Sequence, residues 1–273
     1  GYEVTSLSTK KPKKERFLKK VIYLICDLTK KKHLSKKINK DYKIVINLSG
    51  HVEHNKKKQT YRSHYLGCKN LSNFFFKKKI KCFIQLGSSM EYGNIPSPHF
   101  ESNKCKPKTT YSIAKYKSTK HLENLNKKNF FPAVILRLYQ AYGPKQGINR
   151  LVPIAINSCL KNKKFSCTEG SQQRDFLYID DLINLITKII KKKNISYQIL
   201  NVGTAKPVQI KFLINLIKKI TKKGQPQFGQ IKMRKEEPEK LIPNINKAKK
   251  LFKWKPTTSI IKGLKKTIYS YAK

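Results

Sequence analysis

A chain of 273 residues can bury a core as one large domain or two closely joined ones, and its 38% hydrophobic content sits in distinct runs, which excludes a disordered polymer. The formal charge of +46 invites a nucleic-acid role, but only six of the 61 basic residues are arginine, the lysines are spread along the whole chain, and no aromatic-interleaved basic motif occurs. No apolar segment approaches the ~20 residues that span a bilayer, and the six cysteines lack any C-x-x-C pair, so reduced thiols and a cytoplasmic enzyme without nucleic-acid or membrane partners are expected.

In chain order, residues 1–8 alternate as a strand, and Val21 to Asp27 and Tyr42 to Leu48 form two further apolar runs. Lys30 to Lys40 is too polar for more than a short surface helix. A helix is expected from about Lys58 to Lys77, then a strand at Cys82 to Leu86, a helix capped by Thr109 or Thr110, and a strand at Ala133 to Leu138. The second half offers helices at Leu151 to Leu160, Asp180 to Lys192 and Val208 to Lys222, and a strand at 198–203. Buried strands alternating with helices predict an α/β fold, a Rossmann-like doubly wound parallel sheet whose carboxyl edge binds ligands, with a smaller carboxyl-terminal lobe. The expected boundary lies at 147/148, with the strand at 198–203 returning to the first domain's sheet.

Tyr111 and Lys115 stand four residues apart near the start of one of these helices, hence on one face. A cation beside a phenol favours the phenolate, making the tyrosine a usable general acid or base near neutral pH. The spacing alone is weak in a lysine-rich chain and draws its weight from its surroundings.

Those surroundings are Cys26-Asp27-Leu28-Thr29; Asn47-Leu48-Ser49-Gly50; the run Gly87-Ser88-Ser89-Met90-Glu91-Tyr92-Gly93; Leu136 to Pro144; Arg174 to Asp181; Asn201-Val202-Gly203; and Trp254-Lys255-Pro256. In their order and spacing the chain resembles the extended short-chain dehydrogenase/reductase family, in its NAD-dependent nucleotide-sugar epimerase/dehydratase branch. The resemblance implies that Tyr111 exchanges a proton with a sugar hydroxyl, that Lys115 holds the nicotinamide ribose, and that Ser88 hydrogen-bonds the same sugar oxygen. It implies that Asp27 and Leu28 flank the adenine while Leu48, Ser49 and Gly50 line the cofactor with backbone. Ser89, Met90 and Gln140 fall at substrate positions, Asn149, Arg150 and Leu151 match a ligand-touching stretch, and Arg174 and Arg234 become clamps for the diphosphate. Ser88 would also serve as a turn cap, and Arg174 would also suit an ion pair with Asp175 or Asp180. His51 and His54 read as loop residues, and Tyr92 as a packing residue that borders the site.

Several departures shape the expectation. No three of the 12 glycines have the G-x-x-G-x-x-G spacing that lets backbone approach a pyrophosphate, so the chain reads as lacking the family's first strand, glycine loop and first helix. The acidic pair that dehydratases carry is replaced by Ser89 and Met90, which argues against 4,6-dehydration. Gln140 and His64 stand where asparagines are usual. At the end of the first strand here, Ser8 and Lys10 would bind the adenosine ribose, and hydroxyls and lysines there would also accept a 2′-phosphate, so NADP is the alternative to NAD. The expected activity is therefore nucleoside-diphosphate-sugar epimerisation at C4. The alternatives are NADPH-dependent reduction of a 4-keto-6-deoxy sugar nucleotide and an inactive or basic binding fragment. A homodimer pairing helices 58–77 and 111–128 is implied by the resemblance alone.

Overall fold

The computed structural model describes residues 1–53, 55–233 and 237–272. Its elements run β1 (Val4–Ser8), β2 (Val21–Ile25), α1 (Lys31–Lys37), β3 (Ile44–Asn47), α2 (Lys57–Tyr61), α3 (Gly67–Phe76), β4 (Cys82–Leu86), α4 (Thr110–Asn129) and β5 (Ala133–Leu138). There follow β6 (Gln140–Tyr142), α5 (Leu151–Leu160), β7 (Lys164–Ser166), β8 (Gln173–Arg174), β9 (Phe176–Tyr178), α6 (Ile179–Lys191) and β10 (Gln198–Val202). The chain ends with β11 (Val208–Gln209), α7 (Ile210–Thr221), β12 (Gln225–Gln227), β13 (Lys240–Leu241), α8 (Asn246–Phe252) and α9 (Ile260–Ala272). Two compact units result: Gly1–Glu91 with Pro107–Leu136 and Lys193–Ile199, and Tyr92–Lys106 with Arg137–Lys192 and Leu200–Lys273.

In the first unit β3, β4 and β5 pair in parallel, with Ile44 opposite Cys82 and Phe83 opposite Ala133, and β10 lies beside β5. β4 reads Cys-Phe-Ile-Gln-Leu and is covered on both faces, as a central parallel strand requires. β1 and β2 form a separate parallel pair, from which Val4, Ile22 and Ile25 face solvent. Leu34 is the single buried residue of the lysine-rich α1 and joins Leu71, Phe75, Phe83 and Leu122 in one core. The helix expected over 58–77 is instead divided, because Arg62–Leu66 is wound as a π-helix between α2 and α3. α4 starts at a capping box in which Thr109 and Ser112 satisfy each other's backbone N–H groups.

The second unit packs α5, α7 and α9 around Ile156, Leu213, Ile217 and Leu264, each fully buried and worth roughly 1.5–3 kcal/mol. On α7 the buried positions 210, 213, 214 and 217 follow the helical period of the sequence. Among the described residues its seven short strands, β6–β9 and β11–β13, were absent from the expected elements, and β11 occupies the first two residues of the helix expected from Val208; two or three residues are too few to show alternation. The carboxyl-terminal segment is tied to α6 through Asp181, whose carboxylate accepts from the N–H groups of Thr257 (2.9 Å) and Thr258 (3.1 Å), while its carbonyl accepts from Trp254 Nε1 (3.0 Å). Replacing Asp181 by alanine leaves two backbone donors without their acceptor and should cost about 2–3 kcal/mol in urea unfolding, with faster amide exchange at 257 and 258; an unchanged midpoint would show that water replaces the carboxylate freely.

Candidate active site

β4 ends at Leu86 because Gly87 turns the chain: a Cβ there would stand 2.7 Å from Glu91 Oε1 and 3.1 Å from the Leu136 carbonyl. The turn that follows, Ser89–Tyr92, presents Ser88. Ser88 is buried, and its Oγ accepts from the Met90 N–H at 3.2 Å. That bond uses a lone pair and leaves the hydroxyl proton for another acceptor. Turn cap and donor are thus compatible roles. Ser89 is buried and Met90 half-buried on the same turn.

α4 brings Tyr111, Lys115 and Thr119 onto one face by their spacing of four. The Lys115 side chain is buried, its Nζ donates to the Leu86 carbonyl at 2.5 Å, and it lies 5.9 Å from the centre of the Tyr111 ring. Burial lowers its pKa to about 8, with Glu91 and then Cys68 acting in the opposite direction. The half-buried Tyr111 meets the His64 imidazole edge-on, with ring centres 4.9 Å apart.

Two residues that sequence reasoning passed over organise the neighbouring loop. The Oδ1 of buried Asn47 accepts from the N–H (3.1 Å) and hydroxyl (2.6 Å) of Ser49, while its Nδ2 donates to Gln85 Oε1 (2.8 Å). Gln85 in turn donates to the Leu86 carbonyl that also holds Lys115. The loop after β3 and the lysine of α4 thereby share one polar chain. The available signal was a polar residue at an inward position of each apolar strand, Ile-Val-Ile-Asn and Cys-Phe-Ile-Gln-Leu. Gly50 follows, and its missing side chain is occupied by His64, whose Cε1 would lie 1.9 Å from a Cβ. Leu48 is exposed and His51 offers its carbonyl to His64 Nε2 at 3.1 Å; His54 lies outside the described residues.

At the end of β2, Asp27 Oδ1 accepts from the Thr29 N–H (2.9 Å) and hydroxyl (2.8 Å), and the Leu28 carbonyl is held by Asn70 (2.9 Å). A cavity of about 470 Å³ opens here, lined by Thr9, Ile25, Asp27, His33, Lys36 and Lys37. The Ser8 hydroxyl donates to the Lys10 carbonyl, and neither residue lines the cavity; Thr9 between them does.

In the second unit Gln140 is exposed, with its N–H on the Asp175 carbonyl (3.0 Å), and Asn149, Arg150 and Leu151 are exposed at the start of α5. Tyr92 is fully buried: its hydroxyl donates to Asn201 Oδ1 at 2.7 Å, its ring lies 4.5 Å from the Arg137 guanidinium, and burial pushes its phenol up to about 12. It packs. Arg174 is buried too, donating to the carbonyls of Gln173 (2.8 Å) and Glu239 (3.3 Å) and pairing with Glu237 Oε1 at 2.5 Å. Its ionic partner is thus neither Asp175 nor Asp180. Arg234 lies outside the described residues.

A sequence profile of the NAD dependent epimerase/dehydratase family matches residues 1–203. The chain belongs to that family. It is 32% identical over 160 residues to a dTDP-D-glucose 4,6-dehydratase of Dictyostelium discoideum, covering 52% of this chain and 34% of the relative. Among the first curated relatives it matches, the aligned part spans 26% to 58% of their length. In architecture it is similar to the UDP-glucose 4-epimerase of Thermotoga maritima solved with UDP-glucose, with TM-score 0.91 at 22% identity, covering 99% of this chain and 91% of that one. The UDP-glucuronic acid 4-epimerase of Bacillus cereus, solved with UDP-glucuronic acid and NAD, aligns with TM-score 0.84 at 24% identity over 94% and 83% of the two chains. These likenesses establish the Rossmann-like fold expected from the alternation of strands and helices.

Within this family member the buried ammonium is the feature with a measurable signature. Because folding lowers the Lys115 pKa from 10.5 to about 8, the unfolded chain binds the extra proton between those values and stability rises with pH across that window. The stability difference between wild type and Lys115→Met should therefore change in favour of wild type from about pH 8 to pH 10.5 and stay level below pH 7. A difference independent of pH over the whole range would contradict the burial of a charge at this position.

Proposed function

We propose that this chain carries the acid/base machinery of a nucleoside-diphosphate-sugar epimerase acting at C4 with NAD. The observation that carries the reading is Tyr111 beside a buried Lys115 on one face of α4, with a Ser88 hydroxyl proton free to donate, in a member of this family. The residues fit NAD at two places. The cavity beside Asp27 suits an adenosine, with Leu28, Ser8 and Lys10 next in the chain to the lining residues Asp27 and Thr9, and the Lys115 ammonium suits the hydroxyls of the nicotinamide ribose. For the pyrophosphate the sequence offers no spaced glycines, and Leu48, Ser49 and Gly50 supply backbone alone. Bound there, NAD would supply a reversible hydride acceptor for the sugar carbon.

The side chains manage the proton and the pose. Tyr111 takes the proton from the sugar hydroxyl and gives it back, Ser88 donates to the same oxygen, and the Lys115 cation favours the phenolate. Ser89 and Met90 carry no acid or base with which to expel water, which separates this site from dehydration. Arg174 and Arg234 hold the diphosphate, with Gln140 and Asn149 to Leu151 around the nucleotide sugar. For Arg174 this means surrendering Glu237. A homodimer through α2, α3 and α4 accompanies this reading.

The two lysines of the cavity favour a second reading. His33, Lys36, Lys37 and Thr9 would accept a 2′-phosphate, as an NADPH-dependent reductase of a keto-sugar nucleotide needs. Incubation of the protein with UDP- and GDP-sugars, and with a nucleotide-linked 4-keto-6-deoxy sugar plus NADPH, separates the two: a new epimer without net NADPH loss supports the first, stoichiometric NADPH consumption with the keto-sugar supports the second, and neither product with either cofactor refutes both. Tyr111→Phe should lower turnover by about 10²–10⁴-fold with unchanged nucleotide-sugar affinity by calorimetry; retained turnover excludes Tyr111 from the chemistry. Glu237→Gln should tighten UDP binding about fivefold, roughly 1 kcal/mol, by releasing Arg174, and unaltered binding would remove Arg174 from the diphosphate site.

A further inference from the structure

Glu91 has no part in the proton transfer described above, yet it is fully buried between the elements that carry it. Its Oε1 accepts from the Ser88 N–H at 2.9 Å and its Oε2 from the Thr119 hydroxyl at 2.8 Å. Thr119 stands two turns beyond Tyr111 and one beyond Lys115 on the same face of α4. One carboxylate thus bolts the Ser88 turn to the Tyr111–Lys115 helix, and Gly87 leaves it the space to do so. A neutral amide could bridge the same two groups, accepting from Ser88 and donating to the Thr119 oxygen, without the cost of burying a charge. What the charge adds is attraction for a buried cation. The groups acting on Lys115 are Glu91 from the turn after β4, Cys68 from α3, Tyr111 from its own helix and the Leu86 carbonyl from β4.

We propose that Glu91 is a positioning residue of this site, whose two oxygens hold Ser88 in register with Tyr111 and whose negative charge stabilises the buried Lys115 ammonium. The inference deepens the reading of Tyr111, Lys115 and Ser88 as the acid/base site and rests on it. The opposing effects on Lys115 support the second half: burial disfavours its charged form, and Glu91 is the foremost group acting the other way.

Glu91→Gln keeps the shape and an acceptor for Ser88, and its amide donates to the Thr119 oxygen once that hydroxyl turns. It removes only the charge. The Lys115 side-chain NMR titration, assigned by its loss in Lys115→Met and recorded on the protein without cofactor, should move to lower pH, a roughly tenfold change in its ionisation constant. With NAD and nucleotide sugar, the alkaline limb of the pH–rate profile should move the same way. A folded Glu91→Gln protein whose Lys115 titrates as in wild type overturns the electrostatic role. Thr119→Val tests the bolt with the charge kept: kcat should fall about tenfold at unchanged KM, and Thr119→Ser should restore it. Should Glu91→Gln fail to fold, wild-type kcat in Thr119→Val overturns the proposal, and a tenfold loss rescued by serine sustains its positioning half. Because the titration needs no turnover, a shifted Lys115 in a protein inactive on every sugar nucleotide would sink the enzymatic reading and leave the electrostatic role of Glu91 standing.

Discussion

An ammonium taken out of water has to be compensated, and the arrangement around Lys115 is what that requirement produces. The compensation comes from the carbonyl at the last residue of a central strand, where the chain leaves the ladder and the backbone oxygen is free to accept. Gly87 makes that departure sharp, because no side chain fits between Glu91 and the Leu136 carbonyl. The strand end, the turn and the helix are therefore held by one buried polar cluster rather than by apolar contact alone. α4 shows the same economy: its inner face includes Ser112, Lys115, Ser118 and Thr119 alongside Ala114, Leu122 and Leu125.

The cluster extends through Gln85 and Asn47 to Ser49, so the loop after β3 is held by the carbonyl that binds the lysine. Two inward amides in a parallel sheet cost free energy unless each is satisfied, and here each finds the other. His64 adds a second tie, filling the space over Gly50 while its ring borders Tyr111. The second unit uses a different device: Arg174 is held by Glu237 and two carbonyls, which stabilises a buried guanidinium.

Long elements were legible from the sequence because periodicity accumulates with length. α5 and β4 occupy their expected residues, Thr109 caps α4, and the lysine-rich segment after β2 yields a seven-residue helix. The short strands of the second unit were not legible, nor was the π turn at Arg62–Leu66, since neither leaves a pattern in a few residues. Within the candidate site, Tyr111 and Lys115 could be picked out because a spacing of four is local, and Ser88 because the run around it resembles the family's motif. Asn47, Gln85, Glu91 and Thr119 could not, because their part in it depends on pairings distant in the chain, Asn47 with Gln85 and Glu91 with Thr119. The ionic partner of Arg174 is neither Asp175 nor Asp180 but Glu237, 63 residues away.

The sequence by itself determined the alternation of strands and helices, the family to which the chain belongs and the face on which the tyrosine and lysine stand, since all three depend on residue order and spacing. Tertiary structure alone decided that Lys115 is withdrawn from water, which carboxylate balances it, and which side chain fills the space beside Gly50. Burial and long-range pairing arise only when strand ends, turns and helices meet, and charge acquires its chemical consequence from the medium in which the fold places it.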